Sequence, residues 1–185
     1  MVARKKRRSG LSLFQVLLAV GFLSFAWFSF GQNVLAPPEQ LRVPERLGTM
    51  ELIRKVEGSE AMAQITKLHG VNIELETAYI ADYAQGQDRV TAWVGRAESK
   101  DAALELLKRM SSGIERGGSG FGNLQRLTVA GQEVFQAQGP DGKHFFYNPQ
   151  KQSPYGSWEP RDEVVWLTIE ASDAMPIVEQ AVKAF

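Results

Sequence analysis

The longest apolar run of the chain lies near its beginning. No residue between Ser9 and Pro38 is charged, and the segment from Leu11 to Phe30 reads LSLFQVLLAVGFLSFAWFSF. An α-helix needs about 20 apolar residues to cross a bilayer, so this pattern predicts a transmembrane helix over residues 11–30. The aromatic residues toward its far end favour the membrane interface.

Five basic residues, RKKRR at positions 4–8, come directly before this segment. By the positive-inside rule, they predict a cytoplasmic tail over residues 1–10 and an extracytoplasmic location for everything after the helix. A cleaved signal peptide is the alternative, with Val34 and Ala36 as small residues before a cleavage point, although the apolar run is long for such a leader. RKKRR is also typical of nuclear signals, but beside an apolar segment it is more simply a determinant of topology.

Prolines and weak apolar periodicity follow the predicted helix. Pro37, Pro38 and Pro44 indicate a semi-extended linker over residues 31–48, and the folded domain is then expected over residues 49–185. A domain of that length can bury a core without disulfides.

Strand and helix patterns alternate through the first half of this domain. Odd positions of residues 71–83 are mostly apolar, which is typical of a half-buried strand, and a turn at Gly86 would join it to the next strand. Ser59 and Ser99 are candidate N-caps, and Gly70 is a candidate stop. The predicted elements are a strand over 50–56, a helix over 59–69, strands over 71–83 and 90–94, and a helix over 99–114.

The second half is richer in strands. Gly-Pro-Asp-Gly at 139–142 is a hairpin signal between two of them. A last helix, with Pro176 in its first turn, begins at Ser172 or Asp173 and ends the chain. The predicted strands cover 124–129, 132–138, 143–147 and 163–169.

This order of elements predicts an α+β fold, an antiparallel sheet with helices packed on one face. The first portion, β-α-β-β-α, has the order of a ferredoxin-like unit. Because each of the two later helices follows a strand pair, the two halves are also consistent with a divergent duplication, although no residue-level repeat supports it.

Composition excludes several classes of chemistry. The chain has no Cys, so it has no thiolate nucleophile, redox pair, iron–sulfur cluster or disulfide. The net charge is zero, but five of the 21 basic residues precede the apolar segment; 16 basic and 21 acidic residues remain, a net charge of −5. An acidic body argues against binding of nucleic acid.

Motifs for catalysis or for cofactors are weak. The glycine-rich stretch at 117–122 leaves a helix C-terminus, whereas phosphate loops enter a helix N-terminus, so it is predicted to be a flexible connection. His69, at a helix end, has a sufficient structural role there. A metal site formed by His69 and His144 would need a carboxylate such as Asp82 or Glu163. No cofactor is predicted.

Aromatic residues provide the best candidates for binding. The loop at 153–160 places Tyr155 and Trp158 between prolines, a composition typical of binding hot spots, although the simpler interpretation is that its rings fold back onto the sheet. His144 and Tyr147 lie on a nearby aromatic strand. These four residues, joined by Phe145, are the predicted lining of an aromatic pocket.

Three functions are consistent with these patterns. The leading one is a membrane-anchored, extracytoplasmic binding, sensory or accessory module, held in the lipid by residues 11–30 and attached to a protein partner at the membrane. The second is a domain that binds a small or hydrophobic molecule in the aromatic pocket. The third and weakest is an enzyme that uses His144 as its acid or base.

Overall fold

The computed structural model describes residues 41–69, 73–117 and 119–185 of the chain. The predicted tail, transmembrane helix and first part of the linker, together with Gly70, lie outside these residues. None of the described helices is long and apolar enough to cross a membrane.

The described residues form three helices and ten strands. The helix over Lys100–Arg116 begins as predicted: the Ser99 hydroxyl accepts a hydrogen bond from the Ala102 amide at 3.1 Å. The predicted order of the longer elements is confirmed. The elements are β1 (Arg46–Leu47), β2 (Met50–Glu57), α1 (Gly58–His69), β3 (Thr77–Gln85), β4 (Asp88–Arg96), α2 (Lys100–Arg116), β5 (Gly122–Val129), β6 (Gln132–Gly139), β7 (Gly142–Tyr147), β8 (Gln150–Gln152), β9 (Trp158–Pro160), β10 (Glu163–Glu170) and α3 (Met175–Ala184).

Eight strands form one antiparallel sheet in the order β1-β2-β3-β4-β10-β7-β6-β5. The α+β prediction is therefore confirmed. The first portion has the predicted order of elements, but its pairing is not that of a ferredoxin-like unit, because β2 and β3 are antiparallel neighbours rather than parallel strands separated by a third.

Helices cover both faces of the sheet, so the prediction that they pack on one face is wrong. Side chains of successive strand residues point to opposite faces. Ala78 and Ile80 of β3 pack with α1, whereas Tyr79 and Ala81 share a core with Val178 of α3. Helix α2 lies on the face of α1, where it packs against β10.

Strand β3 differs from the half-buried strand that periodicity predicted over residues 71–83. Residues 73–76 precede the strand, which begins at Thr77, and both faces of its centre are buried. A half-buried strand shows alternation, whereas a strand between helix layers is apolar on both sides. Alternation before Thr77 therefore belongs to the connection and not to the sheet.

The sheet curls around α3. This helix contacts β1 and β5, which are the opposite edges of the sheet. Leu47 from one edge and Val129 from the other lie in the same buried cluster as Val178. The larger core therefore lies on the concave side, with α3 along it.

The folded unit begins at Leu41, earlier than the predicted Thr49. Leu47 is 2% exposed, and the Tyr83 hydroxyl donates a hydrogen bond to the Pro44 carbonyl oxygen at 2.8 Å. The sequence did not reveal this segment, because a two-residue edge strand is too short to show periodicity and the neighbouring prolines indicated a linker. The last part of the predicted linker is thus part of the domain.

We expect the domain to lose stability as the pH rises above about 10. Burial raises the pKa of Tyr79, Tyr83 and Tyr147 well above the ordinary value of 10.0. The unfolded chain therefore releases these protons at a lower pH than the folded chain. The contribution of these tyrosines to the free energy of unfolding is fully present below a pH of about 10 and is lost as the pH rises through the pKa values of the folded state. Urea unfolding at neutral and alkaline pH measures the decline.

Tyr147→Phe should make this decline shallower without lowering the stability at neutral pH. The Tyr147 hydroxyl is buried and has no hydrogen-bond partner among the described residues, so its removal relieves a desolvation cost. Tyr155→Phe is the control, because Tyr155 is 96% exposed and its change should alter neither quantity. A loss of about 1 kcal/mol or more in Tyr147→Phe at neutral pH would contradict this account.

Candidate functional site

Four aromatic residues stand side by side across the face of the sheet that α1 and α2 cover. The strand register places Trp93 opposite Trp166, Trp166 opposite Phe146, and Phe146 opposite Phe135. Phe146 stacks on both of its neighbours, with ring centroids 4.9 Å from Trp166 and 5.2 Å from Phe135. We call these four residues the aromatic row.

A basic residue lies beside the Phe135 end of the aromatic row. Arg126 of β5 is in register with Phe135, and its guanidinium carbon lies 5.2 Å from the centroid of that ring. At this distance the cation is attracted by the negative face of the ring. One end of the aromatic row therefore already holds a cation.

A pocket of about 180 Å³ opens over the other end of the row. Trp93 and Trp166 form its floor, and both indoles are half-buried rather than enclosed. Ile65 of α1 and Phe121 form its walls. The pocket therefore occupies the gap that the helix layer leaves over two tryptophans.

The glycine-rich segment supplies the wall at Phe121. Helix α2 ends at Arg116, and Gly117 and Gly120 have φ angles of 77° and 80°, a region that favours glycine. Phe121 then packs edge-on against His144 at 4.9 Å and against Trp166 at 5.2 Å. This segment is the predicted helix-to-strand connection, and it also carries an aromatic wall.

His144 closes the polar end of the pocket and is only 2% exposed. Because an indole N–H can only donate, the 3.2 Å contact from Trp166 Nε1 makes Nδ1 an acceptor. The Thr168 hydroxyl lies 3.3 Å from the same nitrogen. Nε2 therefore carries the proton and donates it to Asp141 Oδ1 at 2.8 Å.

This network does not favour acid–base catalysis by His144. A general base must offer a free lone pair to the substrate, but Nδ1 already accepts from Trp166 and Nε2 is bound to Asp141. The arrangement instead fixes the orientation of the imidazole and of the carboxylate. Asp141 lies in the predicted Gly-Pro-Asp-Gly turn, and its side chain is 59% exposed at the pocket rim.

The structure does not bring the four predicted site residues together. His144 lines the pocket, but Tyr147, three residues further along β7, points to the opposite face and lies in the core around α3. Phe145 is in that core as well. Tyr155 and Trp158 belong to the β8–β9 hairpin, where they are 96% and 66% exposed and do not fold back onto the sheet.

The carboxylates considered as metal ligands have other partners. Asp82 accepts from Arg54 Nε and from the Thr91 hydroxyl, each at 2.7 Å. Glu163 is 4% exposed and is held by the guanidinium groups of two arginines, Arg96 at 3.0 Å and Arg161 at 2.8 Å. Within the ranges 41–69, 73–117 and 119–185, no three His, Asp or Glu residues form a group that could hold a metal.

Of the seven described residues that line the pocket, sequence reasoning named only His144; it missed Ile65, Trp93, Phe121, Asp141, Trp166 and Thr168. Both tryptophans fall within predicted strands, so a signal for their place in the sheet was present. Their meeting depends on the pairing of β4 with β10, which are far apart in sequence. The pattern of one strand cannot reveal the register of another.

Comparison of the chain with protein-family models, with curated proteins and with solved structures finds no match.

Gly139→Ala should disturb the wall of the pocket. A Cβ at Gly139 would lie 2.5 Å from His144 Nε2 and 2.8 Å from Phe121 Cε1, so both rings would have to move. We expect a loss of about 1–3 kcal/mol of unfolding free energy, as is usual for overpacking. Chemical denaturation of the purified protein measures this loss.

Gly113→Ala is the matched control for this substitution. Gly113 lies within α2, and the added methyl group would meet no atom within 4 Å apart from its chain neighbours and the nearby helix backbone, so alanine should raise the stability by about 0.5–1 kcal/mol. Equal stability of Gly139→Ala and the unchanged protein would show that His144 and Phe121 are not held in place.

Proposed function

We propose that this chain is a membrane-anchored, extracytoplasmic module that binds a small molecule in the pocket over Trp93 and Trp166. The observation that carries the proposal is the pocket itself: an opening with an apolar floor and walls and a polar group fixed at one end. Ligand sites in proteins typically combine an apolar lining with a few well-placed polar groups.

The volume suits a small ligand. Apolar cavities of about 150 Å³ bind molecules of the size of benzene, and this pocket, at about 180 Å³, is slightly larger. Its polar groups, Thr168 and the His144–Asp141 pair, lie together and can orient a ligand with one polar end. Both ring nitrogens of His144, the acid or base that the sequence suggested, already have hydrogen-bond partners, so we assign the pocket a sensory rather than a catalytic role.

The proposed location comes from the sequence. RKKRR followed by the apolar residues 11–30 supports a single membrane helix with the domain outside the cytoplasm, and residues 31–40 would connect this helix to the domain that begins at Leu41. Membrane lipid is then the first partner of the chain. The ligand would come from the extracytoplasmic side.

Native mass spectrometry of the full chain, extracted from membranes of its own host in mild detergent, tests the proposal. We expect an added mass of a small molecule on the unchanged protein. Thr168→Phe should abolish it, because the new ring would fill the pocket from β10 while keeping a residue that suits a strand.

The control for this experiment is Trp158→Ala. Trp158 lies outside the pocket lining, so its removal should leave the added mass unchanged. A bare chain in every preparation, or a ligand retained in correctly folded Thr168→Phe, would contradict the proposal.

A second candidate function, docking to a protein partner at the membrane, is favoured by the β8–β9 hairpin. Two large aromatic side chains are exposed there, on a loop closed by a hydrogen bond of 2.7 Å from the Ser153 amide to the Ser157 carbonyl oxygen. Exposed Tyr and Trp residues are enriched among interface hot spots. The hairpin and the pocket have no lining residue in common.

A photo-crosslinker that replaces Tyr155 tests the docking role in intact host membranes. We expect one discrete adduct, which is lost when Trp158→Ala is added. The same group at Gln87, an exposed residue of the β3–β4 turn, should give no such adduct. Equal crosslinking at the two positions would remove the hairpin from this role.

A further inference from the structure

We infer that the ligand of the pocket is a small organic cation of the alkylammonium class, with a quaternary ammonium group as its best-fitting member. The inference rests on the proposed function, since it specifies the chemistry of the same pocket. Three observations carry it: the aromatic lining, the sign of the charge at the rim, and the cation already seated on the same aromatic row.

Three aromatic rings line one small pocket. Trp93 and Trp166 lie side by side on its floor, and Phe121 stands beside them, at 71° to the plane of Trp166. The faces of aromatic rings are electron-rich and attract cations, most strongly for tryptophan. A small site lined by several aromatic rings at an angle to one another is of the kind that recognises methylated ammonium groups.

The only charged group among the described lining residues is a carboxylate. Asp141 Oδ1 accepts from His144, and Oδ2 makes no hydrogen bond to a described residue. No Lys or Arg of the described part of the chain lines the pocket. An anionic ligand would therefore meet an acid without a compensating base, whereas a cation would be attracted by both the rings and the carboxylate.

Arg126 shows that this aromatic row accepts a cation. Its guanidinium lies over Phe135, at the far end of the row from the pocket. Phe135, Phe146 and Trp166 stack in one continuous series that leads from this cation to the pocket. At the pocket end of the series, no Lys or Arg side chain of the described residues takes this place.

His144 acts as a positioning residue in this account. By donating from Nε2 to Asp141 and accepting from Trp166 at Nδ1, it connects the carboxylate to the indole of the floor. The Asp141 carboxylate at the rim and the Trp166 indole of the floor are therefore held in a fixed position relative to each other. A ligand with a rigid, compact head group suits such a site better than a flexible one.

The experiment compares choline with its neutral carbon isostere, 3,3-dimethylbutanol, by calorimetry and tryptophan fluorescence on the full chain in detergent. The two molecules have the same shape and differ in charge. We expect choline to bind at least about tenfold more tightly, the ratio that corresponds to the cation–π and carboxylate attraction in a partly enclosed site.

Two substitutions assign this preference to the pocket. Asp141→Asn keeps an acceptor for His144 but removes the charge, and Phe121→Leu keeps an apolar wall but removes the ring. Each should weaken choline binding about fivefold or more and leave the binding of the neutral isostere unchanged. Trp158→Leu, which removes an exposed tryptophan outside the pocket, is the control and should change neither affinity.

Equal affinities for choline and the isostere would overturn the inference but leave the proposed function intact, because the pocket would then bind by shape and apolar contact alone. Binding of neither molecule would also overturn it. In that case, native mass spectra of the unchanged protein and of the Thr168→Phe variant show separately whether the pocket holds a ligand of another class.

Discussion

The pairing of β10 with β4 on one side and β7 on the other holds the domain together. The first half of the domain contributes β2, β3 and β4, and the second half contributes β5, β6 and β7, so β10 is the strand through which the two groups join. Its Val165 and Leu167 are fully buried on the side of α3. A shift of this register by one residue would turn the core side chains of β10 toward the other face.

The same register creates the pocket. It sets Trp166 between Trp93 and Phe146, so that indoles from the two groups of strands become neighbours. Neither helix α1 nor the segment around Phe121 closes the space above them completely. The polar network is built on the same strands, since His144 of β7 reaches both Trp166 and Thr168 of β10. The pocket is thus a consequence of the interaction that stabilises the fold, and its walls come from the segments between the strands.

Buried charge at the opposite end of β10 reinforces this pairing. Glu163 is held between Arg96 of β4 and Arg161, and its backbone carbonyl accepts a hydrogen bond from Asn148. Isolated ions are costly to bury, but this carboxylate has a partner on each side. The Glu163 carboxylate, which sequence reasoning considered as a metal ligand, therefore has a structural role here.

The sequence predicts most of the elements, because hairpin signals and helix caps are local. Ser99, Gly86 and the Gly-Pro-Asp-Gly turn each act where the sequence indicates. The face of the sheet against which each helix packs, and the partner of each strand, depend on residues far away in the sequence, so a local pattern does not reveal them. The aromatic residues of β7 illustrate the limit: period-2 alternation separates His144 from Tyr147, but nothing in that strand shows which face carries a pocket and which a closed core.

Nuclear magnetic resonance of the indole N–H groups during a choline titration tests the central claim most directly. The Trp93 and Trp166 signals should shift together and saturate, with Trp166 also reporting on its hydrogen bond to His144, while the Trp158 signal on the β8–β9 hairpin stays in place. Unchanged Trp93 and Trp166 signals, or a response confined to Trp158, would contradict a cation site on the floor of this pocket.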